Sequence, residues 1–142
     1  MLLWGSNARA AHPIYFHHVL KGIRSGASMF AVDPRYTDSA KFADAWLGLN
    51  VGTDIALANA IAREIIVSGL YDAEFISRST SGFAEFAEHV DAYDLAYAER
   101  ITGVDAGVIR ETAHRYATAK TAQILWTLGI TEHHNGVENV LS

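Results

Sequence analysis

FAVDPRYTDSAKFADAWL, residues 30–47, decides how the rest of the chain is read. Its opening Phe30-Ala31-Val32, with Met29 before it, is a short unbroken apolar run. Such a run suits a strand covered on both faces. It stops abruptly at Asp33-Pro34-Arg35, charged and conformationally stiff. Working backwards, Ser25-Gly26 is a helix stop. Phe16, Val19, Leu20 and Ile23 recur at helical spacing and make one apolar face. Pro13 suits a first helical turn, where its missing N–H costs nothing. Met1–Trp4 is again apolar and breaks at Gly5-Ser6-Asn7. Strand, helix and strand within roughly 30 residues make a βαβ unit, whose parallel strands need a crossover.

The alternation continues past residue 35. Residues 38–45 are expected to form a short helix and 46–51 a third strand. Gly52-Thr53-Asp54 is a turn into a long helix carrying Leu57, Ile61 and Ile65, with Thr53 as its N-cap and Ser68-Gly69 as its stop. Residues 71–119 change character. Short helices are predicted at 71–78, 83–90 and 93–100, and a longer one at 105–120 with Asp105 as its cap. AQILWTL, residues 122–128, is a fourth strand that runs into Gly129-Ile130-Thr131, and a last helix starts near Asn135-Gly136. The expectation is one α/β domain over residues 1–142, with at least four strands in a mostly parallel sheet, flanking helices and a helical insertion near residues 71–120.

Bulk composition removes several functions. The chain has 142 residues, enough for one buried core. A net charge of -5 argues against a nucleic-acid-binding surface, which needs a basic face. The absence of cysteine excludes a disulfide framework, a thiolate metal site, an iron–sulfur cluster held by this chain and a cysteine nucleophile. No apolar run approaches the roughly 20 residues of a membrane helix, and Met1–Gly5 lacks the basic region of a signal peptide. A cytoplasmic location is the expectation.

In an open parallel sheet, ligands bind beyond the carboxyl ends of the strands. Four such ends can be named: Gly5-Ser6-Asn7, Asp33-Pro34-Arg35, Gly52-Thr53-Asp54 and Gly129-Ile130-Thr131. Their chemistry suits a nucleotide. Gly5 lets backbone approach a ligand, and Ser6 and Asn7 offer donors. Asp33 closes the second strand, where an acid can accept from ribose hydroxyls. Arg35 offers a fork of donors to phosphate. Asp54 presents two acceptor atoms, which match the ring N–H and exocyclic amine of guanine. Each stretch also has a plain structural reading: Asp-Pro-Arg is a common turn sequence, and Gly-Thr-Asp before a helix is commonly a cap. Gly-x-Gly-x-x-Gly is absent, so an ordinary nicotinamide fingerprint is not present.

These residues resemble the large molybdopterin-guanine-dinucleotide oxidoreductases, most closely the catalytic alpha subunit of formate dehydrogenases. The likeness rests on LLWGSNARAAHP, VDPRYTDSAKFADAWLGLNVGTDIAL, GLYDAEFI with GFAEF, and ITGVDAGVIRETAHRYATAKTAQILWTLGITEHHNGVENV. The first two blocks also resemble nitrate reductases. The resemblance implies a Rossmann-like sheet that binds molybdopterin guanine dinucleotide carrying molybdenum or tungsten. It matches Trp4, Gly5, Ser6 and Asn7 to the first cofactor loop, and Asp33, Pro34, Arg35 and Thr37 to the loop after the second strand. Gly52, Thr53 and Asp54 match the turn at the guanine end, and Leu128, Gly129 and Glu132 a later loop near the pterin. Glu132 stands where many relatives have glutamine, which changes the donors available there.

In that family the metal's cysteine or selenocysteine ligand, its neighbouring histidine and the iron–sulfur cysteines lie before the segment matched here. The chain is therefore expected to be a fragment of an enzyme whose other domains or subunits complete it. No catalytic residue and no metal ligand is expected within it. Alone it is expected to be inactive toward formate and prone to self-association. A non-catalytic nucleotide-binding or interaction module of the same fold, and the equivalent part of a nitrate reductase-type enzyme, are the alternatives.

His12, before Pro13 in the first loop, is a candidate to reach phosphate, with a plain loop position as the alternative. His17 and His18 point about 100° apart on a helix and read as surface, whereas His133 and His134 follow the Gly129 loop and can flank an active-site funnel. No Gly-x-Ser-x-Gly elbow is present, which leaves a hydrolase without support.

Overall fold

The structure, a computed structural model, describes residues 1–142. Four short strands form one wholly parallel sheet: β1 (Leu2–Trp4), β2 (Phe30–Val32), β3 (Ala45–Leu47) and β4 (Ile124–Trp126), in the spatial order β3-β2-β1-β4. Leu2 lies opposite Phe30 and Ile124, and Phe30 opposite Ala45, so all four strands end along one edge. The order reverses between β1 and β4. That reversal opens a crevice at the carboxyl ends, the position where open α/β sheets hold ligands.

Alternation across the pleat explains why β1 and β2 are apolar at every position. Leu2, Trp4, Phe30 and Val32 face one side. They pack against Leu57, Ala60 and Ile61 of α3 (Asp54–Val67) and against Ile109 and Ala113 of α7 (Ala106–Ala117). Leu3 and Met29 face the other side, onto Phe16 and Val19 of α2 (Pro13–Arg24). Leu47, Leu57 and Ile109 are fully enclosed. Burying each such side chain contributes about 1.5–3 kcal/mol.

The region between α3 and α7 holds α4 (Ala73–Ser79), α5 (Phe83–Val90) and α6 (Leu95–Thr102). Asp72, Asp94 and Asp105 cap α4, α6 and α7 by accepting from backbone N–H groups within their first turns. The insertion also shapes the site edge. Thr102 O accepts from Asn50 N at 2.7 Å, and Ile101 O accepts from Asn50 Nδ2 at 3.0 Å. The end of α6 thereby fixes the loop between β3 and α3.

Several local expectations change. The helix expected at 38–45 is a single 3-10 turn over Ala40–Phe42. The third strand, expected over 46–51, spans Ala45–Leu47 and stops there because Leu49 N turns back to Leu47 O at 3.0 Å. Leu49 is buried as part of the loop, so its apolarity reflects core contact and not strand pairing. Thr53 occupies the N-cap position of α3, but its hydroxyl donates to Asn50 O at 2.7 Å and caps nothing. Two short helices add to the sequence reading: α1 (Ala8–Ala11), and α8 (Leu128–Thr131) where a turn was expected. The final α9 spans Gly136–Leu141.

Candidate functional site

A cleft of about 410 Å³ lies along the carboxyl edge of the sheet. Gly5 and Asn7 enter it from the loop after β1, and Asp33, Pro34 and Arg35 from the loop after β2. Leu49, Val51, Gly52 and Asp54 come from the β3–α3 segment, and Gly129 and His133 from beyond β4. Four chain segments far apart in order thus share one rim.

Gly5 is the pivot. Its φ of +56° suits glycine. Its N–H donates to Val32 O at 2.8 Å, and its carbonyl accepts from Gly129 N at 3.2 Å and from Thr127 Oγ1 at 2.9 Å. A Cβ on Gly129 would stand 2.5 Å from Gly5 O, and one on Gly5 would stand 2.8 Å from the Gly129 carbonyl carbon. The two glycines therefore let the β1 and β4 loops touch backbone to backbone at the cleft. Beside them Asn7 is held through its Oδ1, which accepts from Ser39 Oγ at 3.1 Å. Its amide NH₂ has no partner within the chain.

The second loop is pre-formed by its own sequence. Pro34 fixes one backbone angle, and Asp33 Oδ1 accepts from Arg35 N at 2.9 Å, closing an Asx turn. From behind, Trp46 Nε1 donates to Asp33 O at 2.8 Å. Gly48 makes room for that indole, since a Cβ there would lie 2.6 Å from the Trp46 ring. The Arg35 guanidinium is exposed and makes no ion pair with the chain, so its donors remain available to an anion.

Asp54 opens α3, a 14-residue helix, where a negative charge is favoured by the helix dipole. It is nearly buried, and Trp4 Nε1 donates to its Oδ1 at 2.7 Å. That bond ties the end of β1 to the start of α3 and leaves the second carboxyl oxygen unpartnered in the chain. On the far side of the same pair lies a second hollow of about 270 Å³, lined mainly by apolar groups of β4, α3 and α9, Ile61, Ile65 and Trp126 among them. It offers few groups that could recognise a polar ligand. The strand-end cleft offers the free guanidinium of Arg35, the unpartnered amide nitrogen of Asn7 and two acids.

Of the residues singled out in the sequence, Gly5, Asn7, Asp33, Pro34, Arg35, Gly52, Asp54 and Gly129 line this cleft. Trp4, Ser6 and Thr37 are buried behind it. The Thr37 hydroxyl accepts from Ala40 N at 3.2 Å and shapes the loop. Thr53 adjoins Gly52 with its hydroxyl turned to Asn50. Leu128 and Glu132 are exposed on α8 and just after it, beside but not lining the cleft. His12 is exposed at the junction of α1 and α2, outside the cleft. His17, His18 and His134 are surface groups. His133 lines the cleft, and its Nε2 lies 2.9 Å from Gly129 O. Because a carbonyl can only accept, Nε2 carries the proton. Ser39 and Trp46 support the rim and were not singled out, although both sit in the stretch quoted first. No group of three or more histidine, aspartate or glutamate side chains is arranged to hold a metal, and no helix is long and apolar enough to cross a membrane.

The sheet is parallel and covered by helices on both faces, and glycine backbone, two acids and an unpaired arginine line the carboxyl rim, the place where open α/β sheets hold ligands. The family model for molybdopterin oxidoreductases matches residues 1–141, and the chain belongs to that family. It is 42% identical over its whole length to formate dehydrogenase H of Escherichia coli, covering 20% of that protein. It is 39% identical, again over its whole length, to the F420-dependent formate dehydrogenase 2 subunit alpha of Methanococcus maripaludis, covering 21% of it. Among solved structures it is similar to acetylene hydratase from Pelobacter acetylenicus, with a TM-score of 0.86 and 37% identity over 91% of this chain and 18% of that one. The chain thus spans about a fifth of the length of these relatives. Membership implies a molybdopterin cofactor with molybdenum or tungsten.

Proposed function

We propose that residues 1–142 form one α/β domain that binds molybdopterin guanine dinucleotide within a formate dehydrogenase-type oxidoreductase. The observation that carries this reading is the row of free hydrogen-bonding groups along a single sheet edge, from Asn7 and Asp33 through Arg35 to Asp54. An extended dinucleotide needs such a row, with different chemistry at each station.

The residues present fit the group. Gly5 and Gly129 line the cleft and put no side chain into it. Arg35 binds anionic phosphate oxygens. Asp33, with one oxygen spent on its own turn, offers the other to a ribose hydroxyl, and the free oxygen of Asp54 accepts from a guanine edge. Asn7 donates through its amide nitrogen. When bound, the cofactor supplies the metal-centred redox chemistry, while this chain binds and orients it. Formate is the proposed substrate because the similar proteins named above include two formate dehydrogenases. The metal's protein ligand and an iron–sulfur cluster belong, on this reading, to other parts of the enzyme, since the chain carries no cysteine.

GDP serves as a probe for the nucleotide end. Titrated into ¹⁵N-labelled chain, it should shift the amide signals of Gly5, Asn7, Arg35, Gly52 and Asp54, and Arg35→Ala should weaken binding roughly tenfold. Shifts confined to the Trp126 hollow, or none at all, would count against the reading.

A further inference from the structure

We propose that Ser39 is a positioning residue for the cleft, setting the direction in which Asn7 presents its amide to a ligand. This inference rests on the reading that the cleft takes a nucleotide-bearing cofactor. Ser39 is completely buried and follows the Asp33-Pro34-Arg35 turn in the β2–β3 connection. It stands at the N-cap position of the 3-10 turn Ala40–Phe42, yet its hydroxyl does not cap that turn. The hydroxyl reaches back across the sheet edge to the loop after β1. It accepts from Arg9 N at 2.9 Å and donates to Asn7 Oδ1 at 3.1 Å.

The consequence follows from what each group has to offer. An asparagine side chain has one acceptor oxygen and one NH₂ group with two donors. With the oxygen held by Ser39, the carboxamide cannot rotate freely, and the NH₂ is the end left for the cleft, whose lining includes Asn7. The same hydroxyl anchors the start of α1 through Arg9 N. One buried oxygen atom therefore joins the first and second ligand loops and fixes a donor on their shared rim. Without it, Asn7 would lose its only side-chain hydrogen bond and would have to be ordered by the ligand at binding, which weakens affinity.

The test compares wild-type chain with Ser39→Ala and Ser39→Thr, the latter keeping the hydroxyl. Three quantities are measured: the ¹⁵N order parameter of the Asn7 side-chain amide, the dissociation constant for GDP by calorimetry, and the melting temperature. The expected result is a rigid Asn7 amide in wild type and a mobile one in Ser39→Ala. GDP binding should weaken roughly tenfold in Ser39→Ala and recover in Ser39→Thr. A mobile Asn7 amide in wild type overturns the proposal. So does a Ser39→Ala variant whose melting temperature falls while its GDP affinity stays within twofold of wild type, because that is what a purely structural role gives. If Ser39→Ala does not fold, the wild-type order parameter and the shift of the Asn7 amide on adding GDP decide alone: a rigid, shifted amide supports the link, and a mobile or unshifted one overturns it. Failure of wild type to bind GDP, with Asn7 rigid and Ser39-dependent, counts against the dinucleotide reading and not against the Ser39–Asn7 link.

Discussion

Replacing Trp4 with phenylalanine removes one hydrogen-bond donor at the point where the sheet meets the rim. Trp4 Nε1 is 2.7 Å from Asp54 Oδ1, and both residues are more than nine-tenths buried, at 7% and 8% exposure. A hydrogen bond to a charged group contributes about 1.5–3 kcal/mol, and the smaller ring gives up about 1 kcal/mol of packing. The expected loss for Trp4→Phe is thus about 2.5–4 kcal/mol, or a drop in Tm of roughly 7–12 °C for a chain of this length. Packing loss alone would also lower stability, so the decisive quantity is the coupling between the partners. Urea unfolding followed by circular dichroism on wild type, Trp4→Phe, Asp54→Ala and the double variant yields it. Coupling above about 1.5 kcal/mol is expected. Coupling within about 0.5 kcal/mol of zero, the range of independent sites, would refute the view that Trp4 holds Asp54 in place.

Three other outcomes follow from single contacts. Gly129→Ala should cost more than about 3 kcal/mol or abolish soluble expression, because its methyl would stand 2.5 Å from Gly5 O with backbone on both sides; thermal melting checks it. The fully buried hydroxyl of Thr112 on α7 has no hydrogen-bond partner, so Thr112→Val should raise stability by about 1 kcal/mol, read from a shifted urea midpoint. Lys41 Nζ lies 2.6 Å from Asp38 Oδ1, and this hydrogen bond, with the lysine charge, holds the Asp38 carboxyl below the usual aspartate range. The pair is at full strength above the unfolded-state value and is lost as pH falls through the lower folded one. Lys41→Ala should raise the Asp38 midpoint toward the ordinary value in an NMR titration.

Elements buried on both faces were the most legible from sequence. Phe30-Ala31-Val32 and Leu2-Leu3-Trp4 carry no polar position because α2 covers one face and α3 with α7 the other. The same logic overextended the third strand: Leu49 is apolar because the loop tucks it into the core, and apolarity does not separate a paired residue from a buried loop residue. Thr53 has the composition of a cap, but Asn50 O competes for its hydroxyl, a contact set by how α6 holds the loop. The site was legible as a set of strand ends and less so as individual roles. Asp33, Arg35 and Asp54 come to the cleft because strand order places them there. His12 lies only a few residues beyond Asn7, yet α1 intervenes and carries it to the surface. Ser39 could not be read in advance, since its bond to Asn7 spans 32 positions and depends on the β2–β3 connection folding back over the first loop.

The most direct measurement is a crystal structure of the natural protein that contains this sequence, soaked with molybdopterin guanine dinucleotide. The account predicts that the dinucleotide runs along the carboxyl edge of the sheet, with hydrogen bonds to Asn7, Asp33, Arg35 and Asp54. A dinucleotide seated instead against Trp126 and α9, or one touching none of those four side chains, would contradict it.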